Sequence, residues 1–261
     1  MRVAIVGGGI TGLSLAYEFL KRDHTVTVFE GAAHVGGELA TVEVGGEPVE
    51  RFYHHLFTHD HDMVALASDL QVDDRVEWME PEMGYYTNRR VYPFTSPIDL
   101  LRFDALSFSG RARLALGTML LQRTRDFRVF EDRTAAEVLP RYVGQEAFEV
   151  VFASLLRAKF ADHWESISMA WMWARLMARA RTRTRDKRRE RLGYFRGSFR
   201  VIPDALAASV VSYGADLRLR TPVEAITIGD SGSPVLWADG SAFEADAVVA
   251  TVGLPIIRRL I

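Results

Sequence analysis

The sequence has no cysteine among its 261 residues, which excludes disulfide bonds, thiolate zinc sites and a cysteine nucleophile. It also has no excess of charge of one sign, because 32 lysines and arginines stand against 34 aspartates and glutamates. Net charge therefore indicates no class of partner. No run of about 20 apolar residues occurs, so we expect no transmembrane helix. These absences favour a cytoplasmic protein.

The composition that remains is typical of a globular chain, with 48% hydrophobic and 25% charged residues. The length suffices for one large domain or two modest ones. A short apolar run, Arg2–Val6, predicts a buried parallel strand near the N-terminus. A helical pattern follows it, and "TVTVFE" (Thr25–Glu30) then predicts a second strand.

Glycines join the first predicted strand to the helix. In "GGGITG", Gly7, Gly9 and Gly12 fit G-x-G-x-x-G. The first permits a tight turn, the second lets the backbone approach a pyrophosphate, and the third lets the helix pack close to the strand. The helix N-terminus, at Ile10 and Thr11, offers unpaired N–H groups and partial positive charge to phosphates. The motif therefore predicts a dinucleotide site.

Glu30 strengthens this prediction because it ends the second strand, where a carboxylate accepts hydrogen bonds from ribose hydroxyls. The same carboxylate would repel a 2′-phosphate, which disfavours NADP. An ordinary strand-turn-helix, with glycines used only for packing, is the alternative interpretation. It would leave Glu30 unexplained.

A second glycine pair, Gly36-Gly37, stands where an NAD dehydrogenase normally runs into a crossover helix. The order of glycine motif, Glu30 and glycine pair resembles the FAD-binding start of amine-oxidase-type flavoproteins. This superfamily includes monoamine oxidases, protoporphyrinogen oxidase, phytoene desaturases and UDP-galactopyranose mutase. The resemblance implies FAD as cofactor, with Gly36, Gly37 and Glu38 beside its pyrophosphate and ribityl chain. Many members carry arginine where this chain has Glu38.

Three further stretches, Glu50–Phe57, Arg89–Phe103 and Gly193–Ile226, look like a bacterial subgroup described as protoporphyrinogen-oxidase-like. The resemblance places the backbone of Val223 against the adenine. It implies an α/β fold: a Rossmann-type FAD-binding domain with a GR2-like, glutathione-reductase-type sheet and an inserted, mostly helical substrate domain. We expect residues 1–50 and 193–261 to form the first domain and residues 51–192 to form the second.

Patterns within the insertion predict several helices. Ser96 with Pro97 begins one, Ser109 begins another that reaches about Arg123, and Thr134 with Glu137 forms a capping box. A further helical face is predicted from four apolar residues, which are Phe148, Val151, Phe152 and Leu155. The insertion is therefore expected to be mainly helical.

Histidines cluster in "FYHHLFTHDHD", which invites a metal hypothesis. The spacing fits no helix-face ligand pair, and Asp60 or Asp62 is expected to cap a helix. We therefore predict no metal. The resemblance instead places His54 and His55 near the flavin ring, where either could contact substrate or carry a proton. A partly buried histidine with one backbone hydrogen bond is the alternative.

A long helix is predicted from Ser166 to about Arg191, and its last part, Arg179–Arg191, is rich in arginine. A solvated helix end is one interpretation. A contact with a membrane surface, or with an acidic or phosphorylated small-molecule substrate, is the other. No recognition fold accompanies the charge, so no nucleic-acid partner is expected.

Three hypotheses for function remain open. The first is an FAD-dependent oxidoreductase, or its N-terminal portion, that removes hydride from a C–N or C–C bond of a small or lipophilic substrate. The second is a flavin-dependent sugar-nucleotide mutase, and the third is an inactive nucleotide-binding subunit. The resemblance also implies a longer chain, with a C-terminal FAD segment. We therefore expect a fragment, a split gene product or a truncated relative, whose half-built site a partner chain or a second copy could cover.

Overall fold

The computed structural model describes residues 1–181, 191–230 and 232–261. The α-helices within these ranges are α1 Ile10–Leu20, α2 His61–Asp69, α3 Pro97–Leu101, α4 Phe108–Arg123, α5 Ala135–Val143, α6 Gln145–Ala147, α7 Ser154–Phe160, α8 Met169–Arg181, α9 Val201–Ser212 and α10 Leu254–Leu260. The strands are β1 Arg2–Val6, β2 Thr25–Phe29, β3 Thr41–Val44, β4 Glu47–Glu50, β5 Leu56–Phe57, β6 Val76–Met79, β7 Gly84–Thr87, β8 Arg90–Pro93, β9 Leu192–Phe195, β10 Asp216–Arg218, β11 Val223–Ile228, β12 Pro234–Ala238, β13 Ser241–Glu244 and β14 Ala247–Ala250. In the described part, no helix is both long and apolar enough to cross a membrane.

The chain forms two compact units. One contains Met1–His55, Asp60–Glu77 and Tyr194–Ile261, and the other contains Leu56–His59 and Trp78–Gly193. The first unit thus also holds Asp60–Glu77, which the sequence-based boundaries assigned to the insertion. Assignment of these units to cofactor and substrate remains a proposal.

A parallel sheet is the centre of the first unit. Its order is β10-β2-β1-β14, and β1 pairs in parallel with both β2 and β14. The apolar runs of β1 and β2 are buried on both faces, as expected for parallel strands that carry helices. The α/β fold expected from the sequence is confirmed.

Two smaller antiparallel sheets, β11-β12-β13 and β3-β4, belong to the same unit. The β12–β13 hairpin belongs to the first of them. It turns at Asp239 and Gly240, whose φ angles of 49° and 66° are those of a tight primed turn. Residues 31–36 after β2 form a loop rather than a crossover helix, as predicted.

The second unit is mainly helical, and capping chemistry sets where its helices begin. Ser96 with Asp99, and Thr134 with Glu137, form capping boxes. Helix α4 begins at Phe108 instead of Ser109, so that prediction was wrong. The cap is Ser107, because its hydroxyl oxygen accepts the Gly110 N–H at 3.0 Å.

A π-helix at Phe148–Ala153 corrects the predicted apolar face. Leu155 was predicted to face the core, yet it is 55% exposed, whereas Leu156 is 1% exposed. The π turn contains about one residue more than an α-helical turn, so Leu156 instead of Leu155 faces the core. The hydroxyls of Tyr85 and Ser154 both donate to the Val150 carbonyl oxygen within this turn.

Helix α8 begins at Met169 rather than at Ser166, because a 3₁₀ turn occupies Ala161–Ser166. Its first turn is buried through Met169 and Met172. The Trp173 indole N–H donates to the Leu121 carbonyl oxygen at 3.0 Å and fastens α8 to α4. Most of the predicted arginine-rich end, residues 182–190, lies outside the described residues.

Candidate functional site

The turn between β1 and α1 can be made only by glycine at two positions. Gly7 has a φ of +111°, and a Cβ added there would lie 2.8 Å from Thr251 Oγ1. A Cβ added at Gly12 would lie 1.9 Å from the Gly7 carbonyl oxygen. Gly12 therefore lets α1 pack close to the end of β1, as expected of the third motif glycine, and the positive φ of Gly7 makes the tight turn expected of the first.

Gly9 is different, because packing within the protein does not require a glycine there. Its φ of −76° suits any residue, and an added Cβ would meet no atom closer than 3.8 Å. Gly9 caps α1, and its carbonyl oxygen accepts the Leu13 N–H at 3.0 Å. The N–H groups of the first turn of α1 have no partner within the helix. This turn also carries no acidic side chain. Such a helix end fits an anion such as a pyrophosphate.

The second glycine pair lies directly against this turn. The Gly36 N–H donates to the Gly8 carbonyl oxygen at 2.9 Å, and Gly9 and Gly36 form a parallel bridge. A Cβ at Gly37 would stand 3.2 Å from the Gly9 Cα. The sequence predicts both glycine segments at one ligand, and the structure brings them together. Glu38, which follows, is exposed.

Glu30 braces the glycine turn, a role that the sequence analysis missed. Its Oε2 accepts the Gly8 N–H at 2.7 Å, and its Oε1 accepts the Ala32 N–H at 2.8 Å. Each carboxylate oxygen has a further lone pair for a ligand hydroxyl. The Glu30 carbonyl oxygen also accepts the Thr221 N–H at 2.9 Å, two residues before Val223. Val223, the first residue of β11, is therefore close in sequence to the hydrogen bond between Thr221 and Glu30.

Thr251 is a second residue that sequence reasoning missed. Its hydroxyl donates to the Val6 carbonyl oxygen at 2.9 Å and lies 3.3 Å from the Gly7 carbonyl oxygen. It comes directly after β14, so the parallel pairing of β14 with β1 delivers it to the glycine turn. Only that pairing could have revealed it.

His54 belongs to a different cluster, built around the carboxylate of Glu50. That carboxylate accepts the Tyr194 hydroxyl at 2.8 Å and the Phe199 N–H at 2.7 Å, both at Oε1. His54 Nδ1 lies 3.9 Å from Glu50 Oε2. Burial first, and then the hydrogen bond and charge of Glu50, raise the pKa of Tyr194 to about 12.

His55 and His59 contact other aromatic rings. The His55 ring contacts Tyr53 at 5.0 Å between centroids, and the His59 ring stacks on Phe57 at 5.4 Å. Within the described ranges, no three potential ligands converge on a point that could hold a metal ion. Asp60 stands at the N-cap position of α2, but its side chain makes no capping hydrogen bond, so the prediction is confirmed for the position alone.

The profile of one protein family, described as flavin containing amine oxidoreductase, matches residues 10–261. The chain belongs to this flavin containing amine oxidoreductase family. The match begins after Gly7 and Gly9, and it includes Gly12, Glu30, the Gly36-Gly37 pair and the Glu50 cluster. The resemblance expected from the sequence is therefore confirmed.

Curated relatives agree with the family assignment. Protoporphyrinogen oxidase 2 of Arabidopsis thaliana is 26% identical over 64% of this chain and 34% of its own length. Coproporphyrinogen III oxidase of Mycobacterium tuberculosis is 25% identical over 98% of this chain and 60% of its own length. 15-cis-Phytoene desaturase of Synechococcus elongatus is 24% identical over the whole chain and 60% of its own length. The chain thus spans between 34% and 60% of these relatives.

Solved structures show the same fold. An oxidoreductase from Methanosarcina mazei aligns with a TM-score of 0.72 and 17% identity, over 100% of this chain and 61% of that one. Putrescine oxidase with bound putrescine aligns with a TM-score of 0.70 and 17% identity, over 100% of this chain and 60% of that one. At these identities the likeness concerns the fold alone.

FAD is the cofactor of this family, and the observed site fits it. The open side of Gly9, the helix end without acidic residues and the adjoining Gly36-Gly37 turn form a cradle for a pyrophosphate. Gly7 and Gly8 are buried, whereas Thr11 is exposed at the helix start. The exposed side of the cradle is therefore the first turn of α1, where the unpaired N–H groups lie.

Proposed function

We propose that this chain works as an FAD-dependent oxidoreductase, or as the FAD-binding portion of one. It removes hydride from a C–N or C–C bond of a small or lipophilic substrate. The interlocked glycine turns at the start of α1 carry this proposal, together with the family match. The relatives' names include a putrescine oxidase and a phytoene desaturase, which correspond to these two bond classes.

Each cofactor residue has a defined task in this proposal. The N–H groups of Ile10, Thr11 and Gly12 bind the pyrophosphate, and Gly9 lets it approach. Gly36 and Gly37, with Glu38 beside them, line the ribityl side. The first unit would thereby be the FAD domain, and the helical unit would supply the substrate site.

Two other residues hold the ends of the cofactor's adenosine half in the same proposal. Glu30 accepts the ribose hydroxyls through its second lone pairs, and the Val223 backbone meets the adenine. Bound FAD supplies the acceptor for the hydride. The chain's own task is then to orient the substrate and to take the accompanying proton, for which His54 and His55 are the candidates.

The test compares Gly9→Glu with Gly9→Gln in the full chain. Both side chains have the same size and room to fit, but only glutamate places a negative charge at the helix N-terminus. We expect Gly9→Glu to bind FAD about 100-fold more weakly than Gly9→Gln, because like charges repel in the cradle. Flavin absorbance retained through gel filtration, followed by titration, measures this.

Binding of FAD by both variants as tightly as by the unmodified chain would place the pyrophosphate elsewhere, whereas loss of binding in both would show that the space at Gly9 itself is needed. Failure of the unmodified chain to bind any FAD would contradict the proposal for this chain. Circular dichroism of both variants confirms that each is folded before binding is compared.

The arginine-rich run 179–191 remains a proposed contact for an anionic membrane surface or an acidic ligand. Its sequence carries eight basic residues against two acidic ones. Sedimentation with anionic or neutral vesicles would separate the first possibility from the second. Association with a partner chain or a second copy also remains a proposal, and sedimentation velocity would detect it.

A further inference from the structure

Glu50 is held in one place by neighbours from a distant part of the chain. Its side chain is 7% exposed. Its Oε1 accepts both the Tyr194 hydroxyl at 2.8 Å and the Phe199 N–H at 2.7 Å. A buried carboxylate with two donors on one oxygen has little freedom to turn. Its other oxygen, Oε2, therefore keeps a fixed direction.

That second oxygen faces His54. The distance from Glu50 Oε2 to His54 Nδ1 is 3.9 Å, and the histidine side chain is 25% exposed. Nδ1 itself is buried and makes no hydrogen bond among the described residues. The ring of Phe199 lies 5.6 Å from the imidazole between centroids. Phe199 thus supports the pair twice, through its N–H and through its ring.

The chemistry of the two groups decides which imidazole nitrogen carries the proton. A carboxylate can only accept a hydrogen bond, so it favours an N–H at the nitrogen that faces it. The separation of 3.9 Å exceeds a hydrogen bond, so at this distance the carboxylate acts on the Nδ1 proton through its charge. With the proton on Nδ1, the lone pair is left on Nε2, at the far side of the ring.

We infer that Glu50 is a positioning residue that fixes the neutral His54 imidazole with its proton on Nδ1, which makes Nε2 the proton acceptor. The second part of this inference rests on the proposed function. Bound FAD would accept the hydride together with both electrons of the substrate C–H bond. A proton from the adjoining N–H or C–H goes to Nε2, and a C=N or C=C bond forms.

The decisive experiment reads the tautomer directly, by long-range ¹H–¹⁵N NMR of the full chain labelled at histidine. His54→Asn identifies the His54 signals. We expect the Nδ1–H form in the unmodified protein. In Glu50→Gln the amide oxygen still accepts from Tyr194 and Phe199, while the amide NH₂ donates to Nδ1. The variant should therefore show mainly the Nε2–H form.

Two controls separate positioning from general structural damage. Tyr194→Phe removes one bond to Glu50 but leaves its charge, so His54 should keep the Nδ1–H form. His55, next in sequence, should not change tautomer in Glu50→Gln. The same His54 tautomer in the unmodified protein and in Glu50→Gln would overturn the inference.

The tautomer of His54 can be read without the cofactor, because the NMR spectra need no flavin. A tautomer that switches in a chain that binds no FAD would keep the inference about Glu50 and reject the proposed function. A chain that binds FAD, but in which Glu50→Gln leaves the His54 tautomer unchanged, would keep the proposed function and reject the inference about Glu50.

Discussion

Two regions of the first unit hold their geometry by opposite means. The glycine turns are held by backbone packing, which is close enough that a Cβ at Gly7 or Gly12 would clash. The Glu50 cluster is built from side chains, and one buried carboxylate organises Tyr194, Phe199 and His54. The first should be sensitive to added volume, and the second to lost hydrogen bonds. Substitutions can test that difference.

The largest effect is expected for Gly12→Ala. The added Cβ would stand 1.9 Å from the Gly7 carbonyl oxygen, which belongs to backbone and cannot swing aside. We expect a loss of more than about 3 kcal/mol in the free energy of unfolding, measured by urea denaturation. Gly9→Ala is the matched control, because it has room, and should change stability by less than about 1 kcal/mol. Similar losses in both would show that the turn is not governed by volume.

The next effect concerns the buried carboxylate. Glu50→Leu removes the acceptor for the Tyr194 hydroxyl and the Phe199 N–H, and leaves both donors without a partner in the protein. We expect a loss of about 2 to 4 kcal/mol by the same urea measurement. Glu50→Gln keeps the acceptor oxygen and should lose only about 1 kcal/mol. If leucine were tolerated as well as glutamine, hydrogen bonding would not organise this cluster.

A smaller effect with a pH signature is expected for Tyr194→Phe. The pKa of Tyr194 is raised to about 12 from 10, so the folded protein favours the neutral phenol. Its stabilising contribution is complete below pH 10 and is lost as the pH rises toward 12. We expect the unmodified protein to lose about 1 to 2 kcal/mol more than Tyr194→Phe across this window. Parallel stability curves of the two proteins would contradict the shift.

The smallest effect belongs to the hydroxyl that joins β14 to the glycine turn. Thr251→Val keeps the shape but removes the hydrogen bond to the Val6 carbonyl oxygen at 2.9 Å. We expect a loss of about 1 kcal/mol in stability, because the bond is partly buried. Thr251→Ser, which retains the hydroxyl, should recover most of it in thermal denaturation. No difference between valine and serine would assign the role of Thr251 to packing alone.

The same contrast explains what could be predicted from sequence. The spacing of the glycines in the β1–α1 turn is a local pattern, and with the apolar runs on either side it predicted strand, turn, helix and the acid at Glu30. Capping boxes at Ser96 and Thr134 are equally local. The family resemblance added the second glycine pair, which local patterns could not have placed against the first.

Other features depend on pairings that no local pattern records. The bond between the Glu30 carboxylate and the Gly8 N–H needs β1 and β2 side by side in register. Thr251 meets Val6 only because β14 pairs with β1. Likewise, Phe199 reaches Glu50 across most of the chain. These contacts are tertiary, and propensity and spacing carry no information about them.

The π-helix at Phe148–Ala153 has a consequence for how this region can vary in length. Its wide turn contains about one residue more than an α-helix needs to bring Leu156 to the core. Loss of a single codon there would convert the turn to ordinary α-helix and still leave Leu156 inward. The same loss in the middle of α4 would rotate the buried Leu121 toward solvent. Natural length variants among close homologues should therefore collect in this segment and be rare in α4.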